Sequence, residues 1–204
     1  MKPEKTRGLA TARRRIRSFL DREDAAREKG LKACREIIRC AGSAIQSIHR
    51  ERHEEARKRI DEGLSLLAET RKNLESYPEI RYAGFLHSAE KEIIEALTTF
   101  SVITEHSFPD MGKYEFDPVS YLHGIAESVG ELRRHLLDGL RRGKIGEAES
   151  FLETMDEIYY FLVSFDYPHA ITRSLRRQVD YVRSMLERTR SDVTLAVLRR
   201  EPGT

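Results

Sequence analysis

The sequence predicts an all-α domain, a bundle of about six long helices, on three observations. Apolar residues recur three and four positions apart through nearly the whole chain, the period of a helix face. Only 12 glycines and 6 prolines punctuate 204 residues, too few breakers for a many-turned sheet. No stretch of useful length shows the strict alternation of a half-buried strand.

The elements follow in order. Leu31, Cys34, Ile37, Ile38, Ala41, Ile45 and Ile48 form one stripe, in a helix that starts near Ala12. Residues 1–11 ahead of it are expected to form a flexible basic tail on a single domain of residues 1–204. Ala56, Ile60, Leu64, Leu67 and Leu74 mark a second helix, ending before "SYPE". A third runs roughly from Ile80 to His106, and "SFPDMGKYEFDP" is a connection punctuated by Pro109, Gly112 and Pro118. Asp117 and Pro118 read as N-cap and first helical position of a fourth helix, which stops at Gly143. Ala148, Phe151, Leu152, Met155, Ile158 and Leu162 define a fifth. Pro168 opens a sixth, with Ile171, Leu175, Val179, Val182, Leu186, Val193 and Val197.

Charge is unevenly placed. The whole chain carries only +2, yet residues 1–20 hold seven Lys/Arg against Glu4, and residues 171–200 hold eight Arg against three acids. Basic ends around an acidic middle suit a polyanion-binding protein with a metal at its centre, and a solvated helix face has a similar look. "RRRIR" (Arg13, Arg14, Arg15, Arg17) and "RSLRRQVDYVR" (Arg173, Arg176, Arg177, Arg183) are the candidate phosphate-binding groups. Cys34 and Cys40 match no common metal spacing and read as reduced thiols on a helix. With no apolar run long enough for a membrane span and no signal-peptide core in "MKPEKTRGLATARRRIRSF", a cytoplasmic protein is expected.

Four glutamates carry the candidate chemistry. In "EKEIIEALTTFSVIT" (90–104), Glu92 and Glu95 lie three apart, Glu95 opposite the stripe of Leu86, Ala89, Ile93, Leu97 and Phe100. In "YLHGIAESVGELRRHLL", Glu127 and Glu131 lie four apart, together with Gly124, on the face away from Leu122, Ile125, Ala126, Val129, Leu132 and Leu136. If these faces meet, four carboxylates converge and require a cation, and hard oxygen ligands suit Mg²⁺ or Mn²⁺. Glutamate pairs at these spacings are also common on solvated faces, so spacing alone leaves both readings open. His87, His106, His123 and His135 are expected at the surface or boundary, and none completes the Glu-x-x-His arrangement of a di-iron bundle.

"PVSYLHGIAESVGELRRHLLDGL" (118–140) resembles the "DYLxGVADLTGEL" signature of the translin and translin-associated factor X (Trax) family. "EIIEALTTF" is similar to that family's "EYVEAVSF", and residues 151–199 resemble its C-terminal helices. The likeness covers roughly residues 30–200 and is closest to the catalytic Trax type, in a compact form of prokaryotic kind. It implies a helical bundle assembling into a hollow shell, hexamer to octamer, from like subunits or with a translin-like partner. It also implies a Mg²⁺-dependent endoribonuclease acting on single-stranded RNA, with single-stranded DNA as a second ligand. Glu92, Glu95, Glu127 and Glu131 fall on the family's metal-binding and catalytic acids, with Glu127 replacing the Asp of the signature. Phe100, Val102 and Ile103, apolar beyond one stripe, are expected to contribute to the contacts between subunits. The competing readings are a translin-like binding protein that does not cut, and an all-α nucleotide pyrophosphohydrolase.

Overall fold

The computed structural model describes residues 4–200, in eight helices. α1 (Glu4–His49), α2 (His53–Asn73), α3 (Pro78–Arg81) and α4 (Phe85–Glu105) are followed by the connection that includes Pro109 and Gly112. Beyond it come α5 (Pro118–Arg141), α6 (Ile145–Val163), α7 (His169–Thr172) and α8 (Leu175–Arg200). Helical backbone therefore begins at Glu4, ahead of Ala12, and the described side chains of residues 8–20 are all exposed. The basic segment is a projecting helical arm, continuous with the packed half of α1 that starts near Gly30.

Two of the expected helices are each divided. Tyr82, Ala83 and Gly84 separate α3 from α4, with Gly84 at φ +99°, a conformation open to glycine. The expected sixth helix breaks after Thr172, where Arg173 and Ser174 take φ of +48° and +68°. Both left-handed residues follow a buried anchor: His123 Nε2–H donates to the Thr172 carbonyl at 2.8 Å. The N-terminus of α5 is as the sequence predicts. The Asp117 carboxylate accepts from the backbone N–H groups of Val119 (3.1 Å) and Ser120 (2.9 Å), ahead of Pro118 at the first helical position.

The helices enclose two apolar cores. One is built from α1, α2 and α4 around Ile37, Ile48, Ile60, Leu67 and Ile93. The other joins α5, α6 and α8 around Leu132, Leu136, Met155, Ile158 and Val182. α4 and α5 pack against each other and form the seam between them. This is why α4 is buried almost all round, with Ile94, Ala96, Thr98 and Thr99 fully covered besides its expected stripe. Phe100 and Val102 are buried in the cores of their own chain, so they are not free for a partner. Exposed apolar side chains include Leu9, Ile16, Phe19 and Leu20 on the arm, and Tyr160, Tyr167 and Ile171 around the end of α6.

The seam depends on Gly124. A methyl group there would sit 2.6 Å from Cβ and Cγ2 of Ile94 and 2.9 Å from the Lys91 carbonyl oxygen, below any contact real Cβ atoms make. Gly124→Ala tests this directly. In an exposed helix the change would gain about 1 kcal/mol from propensity. Here it is expected to lose about 1–3 kcal/mol by overpacking, measured as the change in urea unfolding midpoint.

Candidate metal centre

Glu92 and Glu95 project from α4, and Glu127 projects from α5 one turn beyond Gly124, so the close approach of the two helices brings the three together. One carboxylate oxygen from each lies within 4.8 Å of the others, and all three side chains are half-buried. Glu131, a further turn along α5, is not in this group. Its Oε2 is engaged by Nε2 of His49 at 2.5 Å, from the last turn of α1. The four acids thus divide into a trio and a satellite, because the end of α1 offers Glu131 a partner of its own.

The trio is unevenly neutralised. The Lys91 ammonium lies 2.6 Å from Glu127 Oε2 and 3.5 Å from Glu92 Oε1. The Gln178 side-chain amide, from α8, donates to Glu127 Oε1 at 3.2 Å. No ion pair among the described residues reaches the carboxylate of Glu95. Burial, and then the charges of Glu92, Glu127 and Glu131, push Glu95 up to about 8, well above a normal carboxylic acid. Glu131 moves the opposite way, because its hydrogen bond to His49 favours the carboxylate. A half-buried trio of oxygen donors on two rigid helices, with one member unpaired, fits a hard divalent cation.

Residues that the sequence did not single out complete this environment. Lys91 is adjacent to Glu92, and its neighbour status was visible, but its direction was not. His49 and Gln178 come from helices distant in sequence and carried no signal. Glu90, on the other side of α4, is buried: it pairs with Arg71 and accepts from the backbone N–H of Asp117 at 2.7 Å. It serves to fasten the connection before α5. His123 is buried, contrary to the expected surface or boundary position, and His87 is half-buried as a boundary residue, with the two ring centroids 5.6 Å apart. Burial and the nearby Arg173 charge lower His87 to about 4.

The arginines fall in different places. Arg173, just ahead of α8, and Arg176 and Arg177 in its first turn are exposed. Arg176 lines a cavity with Phe165, Asp166 and Tyr167 at the end of α6, and it is Gln178 that touches Glu127. Arg183 is exposed and paired with Glu187 at 3.2 Å. Arg13, Arg14, Arg15 and Arg17 are exposed on the arm, which at 1.5 Å per residue puts them about 50 Å or more along α1 from His49.

No family model matches the chain. An uncharacterised protein of Methanocaldococcus jannaschii is 31% identical over 178 residues, covering 86% of this chain and 78% of the relative. The solved structure of AfC3PO in complex with duplex RNA superposes with a TM-score of 0.83 and 34% identity, covering 96% of this chain and 99% of the other. The chain belongs to the translin/Trax family. A second AfC3PO structure gives the same identity with a TM-score of 0.82, over 95% of this chain and 99% of that one. NeC3PO, at 21% identity and a TM-score of 0.82, shares the translin-like fold over 89% of this chain and 95% of its own. Among the described residues no helix is long and apolar enough to cross a membrane, and both Cys34 and Cys40 are free and buried.

The position of Glu95 sets a pH dependence for the metal-free protein. Its folded value, about 8, stands above the 4.5 of an unperturbed side chain. Between these values the folded chain keeps a proton that the unfolded chain has released, so this residue makes stability fall as pH rises from about 4.5 to about 8. One proton gives a slope of at most about 1.4 kcal/mol per pH unit. Urea unfolding in EDTA across this range is expected to show a smaller decline for Glu95→Gln than for the unaltered protein. An identical pH profile would mean that Glu95 ionises normally.

Proposed function

We propose that this translin/Trax-family chain is a divalent-metal-dependent endoribonuclease that cleaves single-stranded RNA. The observation that carries the reading is the convergence of Glu92, Glu95 and Glu127 from two helices, with Glu95 unpaired. Glu92, Glu95 and Glu127 would hold Mg²⁺ or Mn²⁺, with Gln178 fixing one oxygen of Glu127. A bound dication of this kind supplies a polarised phosphoryl group and a water of lowered pKa. Glu131, oriented by His49, stands at the edge of the trio as a carboxylate able to accept a proton or a hydrogen bond. Of the four expected catalytic and metal-binding acids, Glu131 is thereby given an accessory role.

RNA reaches this centre over the start of α8. Arg173, Arg176 and Arg177, exposed at the beginning of α8, supply phosphate contacts, and Arg183 extends the same helix. The arm arginines Arg13, Arg14, Arg15 and Arg17 form a second group of phosphate contacts, which another copy of the chain can bring to the RNA. A homo-oligomeric shell, hexamer to octamer, or an assembly with a translin-like partner, gives that arrangement. The exposed apolar residues of the arm and of the end of α6 are the contacts available for it. AfC3PO has been solved with duplex RNA. We nevertheless place single strands first as substrates, RNA before DNA, because a flexible strand enters an enclosed cavity and exposes bases for stacking.

The alternative is an RNA-binding protein that does not cut. It is favoured by Lys91, an internal cation that already offsets part of the trio's charge. The similarity to AfC3PO does not favour a nucleotide pyrophosphohydrolase, and no specific observation supports that reading.

Cleavage of labelled single-stranded RNA separates these readings. Activity is expected with Mg²⁺, none in EDTA, and a loss of at least a hundredfold in Glu95→Gln and in Glu127→Gln with helicity retained. Full activity of both variants, or cleavage in excess EDTA, would remove the metal mechanism. Duplex RNA of the same sequence, run in parallel, tests the strand preference.

Affinity has its own signature. Binding of single-stranded RNA should weaken with salt at a log–log slope of about −0.7 per phosphate neutralised. Replacing Arg173, Arg176 and Arg177 together by Gln should make that slope shallower by about two, whereas Glu95→Gln should leave it unchanged. A triple variant with unaltered slope and affinity would place the RNA elsewhere.

A further inference from the structure

Lys91 occupies the position between Glu92 and Glu127 that an ion bound by the trio would also claim. Its ammonium is 2.6 Å from one carboxylate and 3.5 Å from the other. Among the described residues it is the only cation paired with any of the three acids. A lysine ammonium and a dication cannot share the same pair of carboxylates at contact distance, since like charges a few ångströms apart repel strongly in a half-buried site. Metal entry therefore requires the ammonium to leave.

Where it can go is limited. The Lys91 backbone is fixed at the seam, its carbonyl oxygen 2.9 Å from where a Cβ on Gly124 would lie. The side chain is 21% exposed, so one side of it already meets solvent. Its four-carbon stem lets the ammonium swing while the Cα stays in place. A swing away from Glu127 keeps the charge within a few ångströms of the trio, on the solvent side from which a phosphate would approach. From α8, Gln178 touches Glu127 in the same centre.

We propose that Lys91 is an internal counter-ion displaced by the incoming metal, and that the released ammonium then acts as a positioning residue for the RNA phosphate. Lys91 thus holds the trio together in the metal-free protein, weakens metal binding, and repays that cost only when the phosphate arrives. This inference rests on the metal centre proposed above.

The test uses the full chain and does not depend on turnover. Calorimetry with Mn²⁺ compares the unaltered protein, Lys91→Met and Glu95→Gln. Amine acylation followed by mass spectrometry reports the reactivity of Lys91 alone, with and without Mg²⁺, and then with a nucleoside 5′-monophosphate, which offers a phosphate but no diester to cleave. Lys91→Met is expected to bind Mn²⁺ about tenfold more tightly. Mg²⁺ is expected to raise Lys91 acylation several-fold, and the monophosphate to suppress it again in the presence of Mg²⁺ only. The monophosphate is expected to bind the metal-loaded Lys91→Met variant more weakly than the metal-loaded unaltered protein. If Glu95→Gln loses Mn²⁺ while Lys91→Met binds it no more tightly and Mg²⁺ leaves acylation unchanged, the displacement is wrong and the metal centre stands. If Mg²⁺ raises acylation but the monophosphate does not reverse it, the phosphate role of Lys91 is overturned. If neither the unaltered protein nor Lys91→Met binds Mn²⁺, the metal centre itself fails and this inference with it.

Discussion

The absence of a side chain at Gly124 is the constraint on which the arrangement depends. Ile94 and the Lys91 carbonyl occupy the space that any other residue's Cβ would need, so α4 and α5 approach more closely than two ordinary helices could. That approach joins the two apolar cores into one body and sets the distance between Glu92, Glu95 and Glu127. A wider spacing would give each glutamate its own hydration shell. Instead the acids share a half-buried volume, where burial and then the charges of its neighbours raise Glu95 above an ordinary carboxylic acid.

Much of the remaining polar structure holds that seam in place. Arg71 and Glu90 anchor the connection ahead of α5 through the backbone at Tyr114 and Asp117, and Asp117 caps the helix that carries Glu127 and Glu131. His123 ties α5 to Thr172, after which two left-handed residues redirect the chain so that Gln178 meets Glu127. His49 reaches Glu131 from the far end of α1. The environment of the acids is assembled from α1, α4, α5 and α8, which is why it is rigid without any loop crossing it. The two partners that reach the acids from α1 and α4 differ in kind: the His49 ring has a single acidic partner, whereas the Lys91 ammonium is shared between two members of the trio.

Some of this was legible in the sequence and some was not. The helices were readable because 3.6-residue periodicity is a local property, and because caps such as Asp117–Pro118 are signalled by adjacent residues. The breaks at Gly84 and Arg173 were not, since the second depends on a hydrogen bond from His123, 49 residues away. Phe100 and Val102 were misread as contacts between copies because a stripe pattern assumes one buried face, and a helix between two cores has no free face to give.

By itself, the sequence determined the all-α class, the order of the helices and the glutamate pairs at helical spacing, together with the motif likeness to a family that the structural similarity bears out. Those follow from short-range periodicity, capping and residue identity, which operate along the chain. Only the tertiary structure decided that three of the four acids share one volume, that Glu131 belongs to His49, and that Lys91 stands between Glu92 and Glu127. Those facts depend on how closely two helices pass and which way a long side chain turns. Both are settled by packing between residues far apart in sequence, where no local pattern reaches.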